Sequence, residues 1–307
     1  FPGTLTSNET NSLTHFKPAV ADINGDSLPD LFIGTQDASL LYYENMGSPT
    51  SPQFEQREGP SNPMNGAPLT RPEVGGPGYT GPAYIAPVLV DLNGDQLIDL
   101  VLGFYCPINK LQYWKNIGTL TQPNFSLMTG TSNPFADIQA SSSLQYVNTM
   151  ITPTFYDLND DGVLDLVAGS YEHHIVVYLN TGTKTNPIFQ WEMTASQHNP
   201  FLDIREGSWT SPALYDIDND GDVDLVFGTY LSHLYYFEAN GCIMASTCNG
   251  RGICQRQDDG TAQCACTAVG AGVLCQSCAA GSIEATREGG ISLAVPQNPI
   301  CDLCPGK

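Results

Sequence analysis

The chain predicts an all-β fold built from repeated four-stranded antiparallel units, and three observations carry that expectation. One acidic turn occurs four times, each copy sits in the same frame of apolar and aromatic runs, and the 307 residues include 30 Gly and 22 Pro within a 41% apolar composition. That composition suits turn-rich β structure, with enough chain to bury a substantial core. The turn reads DINGDSLPD from Asp22, DLNGDQLID from Asp91, DLNDDGVLD from Asp157 and DIDNDGDVD from Asp216. Starting points 69, 66 and 59 residues apart mark structural repeats rather than scattered acidic sequence.

Within each repeat the elements read in one order. A proline stands four residues before each first Asp, at Pro18, Pro87, Pro153 and Pro212, in an apolar stretch that forms the first strand. Directly after the acidic turn, DLFIG, DLVLG, DLVAG and DLVFG read as a buried second strand ending in Gly34, Gly103, Gly169 or Gly228. The turn therefore joins two strands, unlike the helix-flanked loop of an EF-hand. The alternating aromatic runs LLYYENMG, LQYWKNIG, IVVYLNTG and LYYFEANG close in Asn-x-Gly or Asn-Gly and read as a third strand and a turn. Pro-x-Phe at Pro52 to Phe54, Pro123 to Phe125 and Pro187 to Phe189 starts a fourth strand in the first three repeats, while the fourth repeat stops at Asn240-Gly241 without one. Four antiparallel strands at this period describe a propeller blade.

Positions 1, 3, 5 and 9 of every acidic turn are Asp or Asn. That spacing lets one short loop wrap oxygen ligands around a hard cation. A single such turn reads equally well as an Asx-rich solvated loop. Four aligned copies, each with a further carboxylate at position 9, favour the cation.

The pattern PxxxDxNxDxxxDLxxG, with its trailing N-x-G and P-x-F, resembles the FG-GAP/VCBS repeat, the blade of integrin alpha-subunit propellers and of many secreted proteins. The resemblance covers roughly residues 12–241. It implies up to four Ca²⁺, each held by the side chains at positions 1, 3, 5 and 9 and a main-chain carbonyl at position 7. On this sequence those are Asp22, Asn24, Asp26, Leu28 and Asp30; Asp91, Asn93, Asp95, Leu97 and Asp99; Asp157, Asn159, Asp161, Val163 and Asp165; and Asp216, Asp218, Asp220, Asp222 and Asp224. Gly is usual at position 6 of that family. Only Gly162 and Gly221 conform; Ser27 and Gln96 stand there in the first two loops, which carry Gly25 and Gly94 at position 4.

The charge narrows the function classes. With 11 basic and 32 acidic residues the net charge is −21, which repels nucleic acid and anionic lipid. Thirteen of the acids are proposed ligands, and four Ca²⁺ would bring the balance to about −13, which assigns calcium a structural role. No run of 18 apolar residues is present, so this segment has no membrane span of its own, and its first residues lack a signal-peptide pattern. Asn8 and Asn124 open N-x-[ST] sequons, each a candidate glycosylation site.

After residue 241 the cysteines take over: nine of the ten lie between Cys242 and Cys304. Spacing alone leaves the pairing of the first six open among 15 arrangements. Their order C-x5-C-x5-C-x9-C-x-C-x8-C, around NGRGIC, resembles an EGF-like module, and the resemblance implies Cys242–Cys254, Cys248–Cys264 and Cys266–Cys275. The following CQSC and CDLC resemble the extra loop of laminin-type EGF repeats, which implies Cys278–Cys301, although Cys242 and Cys248 are too far apart for the laminin form. Two CxxC pairs also suit zinc, but the module spacing and the acidic loops argue for an oxidising compartment. Cys106 and Cys304 are left over: either they pair, or Cys304-Pro-Gly opens another module.

The expected organisation is thus a propeller segment over 1–241 and a cysteine-rich stalk over 242–307, in an extracellular, non-enzymatic protein of adhesion or structural assembly. The expected partner is another extracellular protein, a glycan, or further copies in a repeating polymer. The fourth repeat's missing outer strand is expected from residues 1–17 or from repeats upstream, and both chain ends read as continuing. The competing class is a polysaccharide-processing lyase or hydrolase, or a glycan binder, because related repeats accompany such enzymes. Catalytic patterns are weak: His15, His173, His174, His198 and His233 form no metal motif, and G-x-S-x-G is absent. His174 and His233 read as turn residues, and Tyr105, Tyr171 and Tyr230 as packing residues with a recognition face as the alternative.

Overall fold

The computed structural model describes residues 15–67, 69, 84–104, 111–136, 138, 151–158, 161–170, 175–191, 201, 209–217, 223–230 and 233–239, with the backbone of strands at 252–256, 262–266 and 283–284. These residues build four blade-like antiparallel sheets of four strands, and the chain divides into two compact units. The first unit holds residues 1–144 and 148–153, the second 145–147 and 154–307.

The first sheet runs β1 (Lys17–Ala21), β2 (Asp30–Gly34), β3 (Leu40–Asn45) and β4 (Phe54–Arg57) in chain order. The second repeats it with β5 (Ile85–Val90), β6 (Asp99–Phe104), β7 (Leu111–Asn116) and β8 (Phe125–Leu127). The third comprises β9 (Ile151–Tyr156), β10 (Asp165–Ser170), β11 (Ile175–Asn180) and β12 (Phe189–Trp191). The inner strands carry the apolar runs because they pack on both faces: every residue of β6 and of β11 is buried. The acidic turn closes between paired residues in register, with Ala21 opposite Asp30 and Val90 opposite Asp99.

The fourth sheet begins alike, with β13 (Ser211–Tyr215), β14 (Asp224–Gly228) and β15 (Leu234–Ala239). A hairpin of β16 (Gly252–Arg256) and β17 (Ala262–Cys266) follows, with Cys254 opposite Cys264, and then β18 (Ile283–Glu284). The sequence leaves the outer strand of this sheet to residues 1–17 or to repeats upstream. Instead β18 lies against β15, with Ala239 opposite Ile283 and Glu238 opposite Glu284. An open edge presents unpaired backbone groups, and β18 is the segment that meets them here.

Each unit has its own core. Phe32, Tyr42, Ile85, Leu100, Leu102, Phe104 and Trp114 are buried together in the first, and Val167, Val177, Leu225, Phe227 and Phe237 in the second. Gly34, which ends β2, and Gly103, one residue before the end of β6, let a neighbouring backbone approach closely. A Cβ on Gly34 would lie 2.2 Å from the Ile85 carbonyl oxygen, and one on Gly103 would lie 2.1 Å from that of Ile151. The amide of Ile85 donates to the Thr35 carbonyl at 3.0 Å, so the first strand of one blade is stitched to the end of the second strand of the blade before it.

Candidate metal sites

In the first loop, Asp22 organises the turn. Its Oδ1 accepts from the backbone N–H of Gly25 at 2.7 Å and of Asp26 at 3.2 Å, and its Oδ2 from that of Ser27 at 2.8 Å. Asn24 Oδ1 accepts from the Asp26 amide at 3.1 Å and Asp26 Oδ1 from the Leu28 amide at 2.8 Å. Such side-chain oxygens replace backbone partners and let short polar sequence turn tightly. The second loop repeats the pattern, with Asp91 taking the amides of Asp95 (3.1 Å) and Gln96 (2.9 Å) and Asp95 that of Leu97 (3.0 Å). So does the third, with Asp157 taking Asp161 (3.0 Å) and Gly162 (2.7 Å), and Asp161 taking Val163 (3.0 Å).

Position 6 is left-handed in all three loops, although only one of them has glycine there: φ is 69° at Ser27, 69° at Gln96 and 86° at Gly162. The departure from glycine therefore changes the strain of the first two loops, not their path. For L-residues this region costs roughly 1–2 kcal/mol.

The ninth-position carboxylates do a second job that the sequence did not disclose. Asp30, Asp99 and Asp165 are each fully buried. Their Oδ1 atoms accept from the amides of Asn45 (2.9 Å), Asn116 (2.8 Å) and Asn180 (2.7 Å), the last residues of β3, β7 and β11. Each Asn then binds the chain on both sides. Asn116 Nδ2 donates to the Ile98 carbonyl at 3.2 Å, while its Oδ1 accepts from the amides of Gly118 (3.0 Å) and Asn124 (3.1 Å). Asn45 and Asn180 make the same set. The Asp–Asn pair thus clasps the acidic turn, the end of the third strand and the start of the fourth. In the fourth repeat Ala239 stands at the clasp position, and Asp224 Oδ2 accepts from the Ile217 amide at 2.9 Å.

Burial is costly for these acids. Loss of hydration pushes the Asp30 carboxyl up to about 6, against the opposing pull of the Asn45 and Ile23 amides. It pushes Asp165 up to about 7, with Asp161 and Asp157 adding like-charge repulsion. Asp99 is raised for the same reason.

The loops differ in what surrounds them. At the residue before the clasp Asn, β3 has Glu44, whose Oε1 accepts from Asn24 Nδ2 at 3.3 Å and whose Oε2 pairs with Arg57 at 2.6 Å. In β7 that residue is Lys115, and its Nζ lies 3.2 Å from Asp95 Oδ2. Asn93 is buried and turns its Nδ2 onto Asp99 Oδ2 at 2.6 Å, which also accepts from the Tyr113 hydroxyl at 2.7 Å.

The donor set suits a hard cation in kind: carboxylate, amide and carbonyl oxygens from one tight turn. Among the described residues no three acidic, imidazole or thiol side chains already converge as a cage, because the loop acids face the loop's own amides and the ninth Asp faces the strand. Ligation requires them to turn inward. Asn159, Asp218, Asp220 and Asp222 lie outside the described residues, as do Asn8, Cys106, His173, His174, His198, Tyr105 and Tyr171. So do Cys242, Cys248, Cys275, Cys278, Cys301 and Cys304, while Cys254, Cys264 and Cys266 are placed by backbone alone. Asn124 is exposed, and His233 sits in the β14–β15 turn with its carbonyl accepting from Thr229 at 3.0 Å. Tyr230 is 63% exposed, its ring 5.4 Å from that of Trp209.

The residues three before Pro18, Pro87 and Pro212 are His15, Tyr84 and Trp209, and all three have positive φ (58°, 25° and 57°). A cavity of about 320 Å³ lined by Met64, Asn65, Ala67, Trp114, Phe125 and Leu127 carries no titratable group.

The family of FG-GAP-like repeats matches residues 157–227. That stretch is similar to an FG-GAP-like repeat. It runs from the first Asp of the third acidic turn through β10, β11, β12 and β13 and past the start of the fourth turn at Asp216 into β14. The same loop, clasp and strand order recur in the two sheets before it. No curated protein matches the chain.

Proposed function

We propose that this chain is a calcium-stabilised extracellular binding or assembly module without catalytic activity. The observation that carries the reading is the repeated meeting of an oxygen-only turn with a buried carboxylate. In the first three loops the side-chain oxygens of positions 1 and 5 lie on one short turn's own amides, and the ninth-position Asp sits where ionisation is costly. A divalent cation offsets both the burial and the mutual repulsion. In the first loop Asp22, Asn24, Asp26, the Leu28 carbonyl and Asp30 would hold it, and the corresponding residues would do so in the other three. When bound, Ca²⁺ supplies only charge and a fixed coordination centre. The chain's own work is to present the blade: the loop ties β1 to β2 while the clasp Asn ties the same carboxylate to β3 and β4.

The extracellular, disulfide and assembly parts of the reading rest on charge and cysteine pattern. An EGF-like module with the pairs Cys242–Cys254 and Cys248–Cys264 belongs to this proposal; in the β16–β17 hairpin Cys254 stands opposite Cys264. Glycosylation at the exposed Asn124 belongs to the same proposal. The experiment is metal analysis of the purified chain after dialysis against calcium. Two to four tightly held Ca²⁺ per chain, with Asp165→Ala losing one, is the expected result; none above buffer sinks the reading.

A further inference from the structure

The four loops are not equivalent, and the second already contains its own cation. Resting on the calcium reading above, we propose that Lys115 and Asn93 act as built-in substitutes for the ion in the second loop, making it the weak, cation-independent site of the four. Two separate contacts point there. The Lys115 ammonium lies 3.2 Å from Asp95, the position-5 acid. Asn93, the position-3 residue, presents its Nδ2 rather than its oxygen inward, 2.6 Å from Asp99 and 3.1 Å from the Tyr113 hydroxyl. A carbonyl oxygen in place of that nitrogen would face Asp99 Oδ2 without a proton between them, so the amide orientation is set by the contact.

For a cation to enter, Asn93 must turn over and Lys115 must leave, and the ammonium repels the incoming charge until it does. The first loop has the opposite arrangement. Asn24 sends its nitrogen out to Glu44 and keeps its oxygen on the loop, and Glu44, itself paired with Arg57, puts no cation on the loop acids at the place Lys115 occupies in the second blade. In the third blade the same place is held by the neutral Leu179, and in the fourth by Glu238. Sequence at this one position therefore ranks the loops, with the second at the bottom.

The test is a calcium titration of the full chain and of Lys115→Leu, Lys115→Gln, Lys115→Arg and Asp95→Asn, followed by calorimetry and by thermal melting in excess chelator. The expected wild-type result is one ion bound at least tenfold more weakly than the rest. Asp95→Asn removes that ion alone, Lys115→Leu and Lys115→Gln tighten it at least tenfold, and Lys115→Arg leaves it weak. In chelator the Leu and Gln variants melt below wild type, since Asp95 then lacks its counter-charge, while the Arg variant does not. Calcium binding that is unchanged by removing the Lys115 charge overturns this inference and leaves the calcium reading standing. An absence of calcium binding in every variant overturns both.

Discussion

At the level of single residues, Asp30, Asp99 and Asp165 hold their carboxylates where water cannot reach them. Asp30 and Asp165, raised to about 6 and about 7 by burial, bind a proton more tightly in the folded chain than in the unfolded one, where Asp titrates near about 3.9. Their ionisation therefore subtracts stability above about pH 7, and the loss is relieved as pH falls through that range toward about 4. In calcium-free protein, melting temperature should rise as pH is lowered from 8 to 5, and Asp165→Asn should flatten the upper part of the rise. With calcium bound the sign reverses, because protons then compete with the ion. A melting series in chelator and in calcium checks both signs. The left-handed Gln96 makes a second prediction. Gln96→Gly removes strain of about 1 kcal/mol, partly offset by the greater freedom of Gly in the unfolded chain, so a gain of about 0.5 kcal/mol is expected by chemical denaturation. The sequence made the acidic turns legible because their Asp and Asn spacing is local. It did not disclose the clasp between Asp99 and Asn116, whose partners stand 17 residues apart. Nor did it disclose the Lys115 contact with Asp95, which depends on the fold of β7 over the loop.

At the scale of the element, strand order was readable because each blade alternates apolar runs with Gly, Asn and Pro at fixed intervals. The outer strand of the fourth sheet was not, since β18 is only Ile283–Glu284 and has no repeat signature. Glycine at the end of the second strand looks in sequence like a simple stop, yet its role differs from blade to blade. Gly103 faces the Ile151 carbonyl at a distance no Cβ tolerates, whereas a Cβ on Gly228 would meet nothing within 4 Å among the described residues. Gly103→Ala should cost about 2 kcal/mol or more through overpacking, and Gly228→Ala should stay within about 0.5 kcal/mol. Equilibrium denaturation of the two variants side by side checks the contrast, and equal costs would contradict the close-approach argument. The positive φ of His15, Tyr84 and Trp209 could have been suspected from their shared place before the proline, but residue type alone argues against it.

At the scale of the whole chain, a charge of −21 and a cysteine-rich C-terminal quarter set the conditions under which the protein folds. On the proposed reading, crosslinks hold the segment 242–304, because a chain of about 60 residues buries little core. Peptide mapping without reduction should find Cys266 joined to Cys275 and Cys278 to Cys301, while free thiols or zinc at those positions would overturn the stalk reading. If calcium holds the blades, as proposed, differential scanning calorimetry of the full chain will show it. Scans in calcium and in excess chelator, with metal loss verified by elemental analysis, should differ by about 10 °C or more: several ions bound far above their dissociation constants each stabilise by about 3–4 kcal/mol. Coincident transitions in the two scans would contradict the claim.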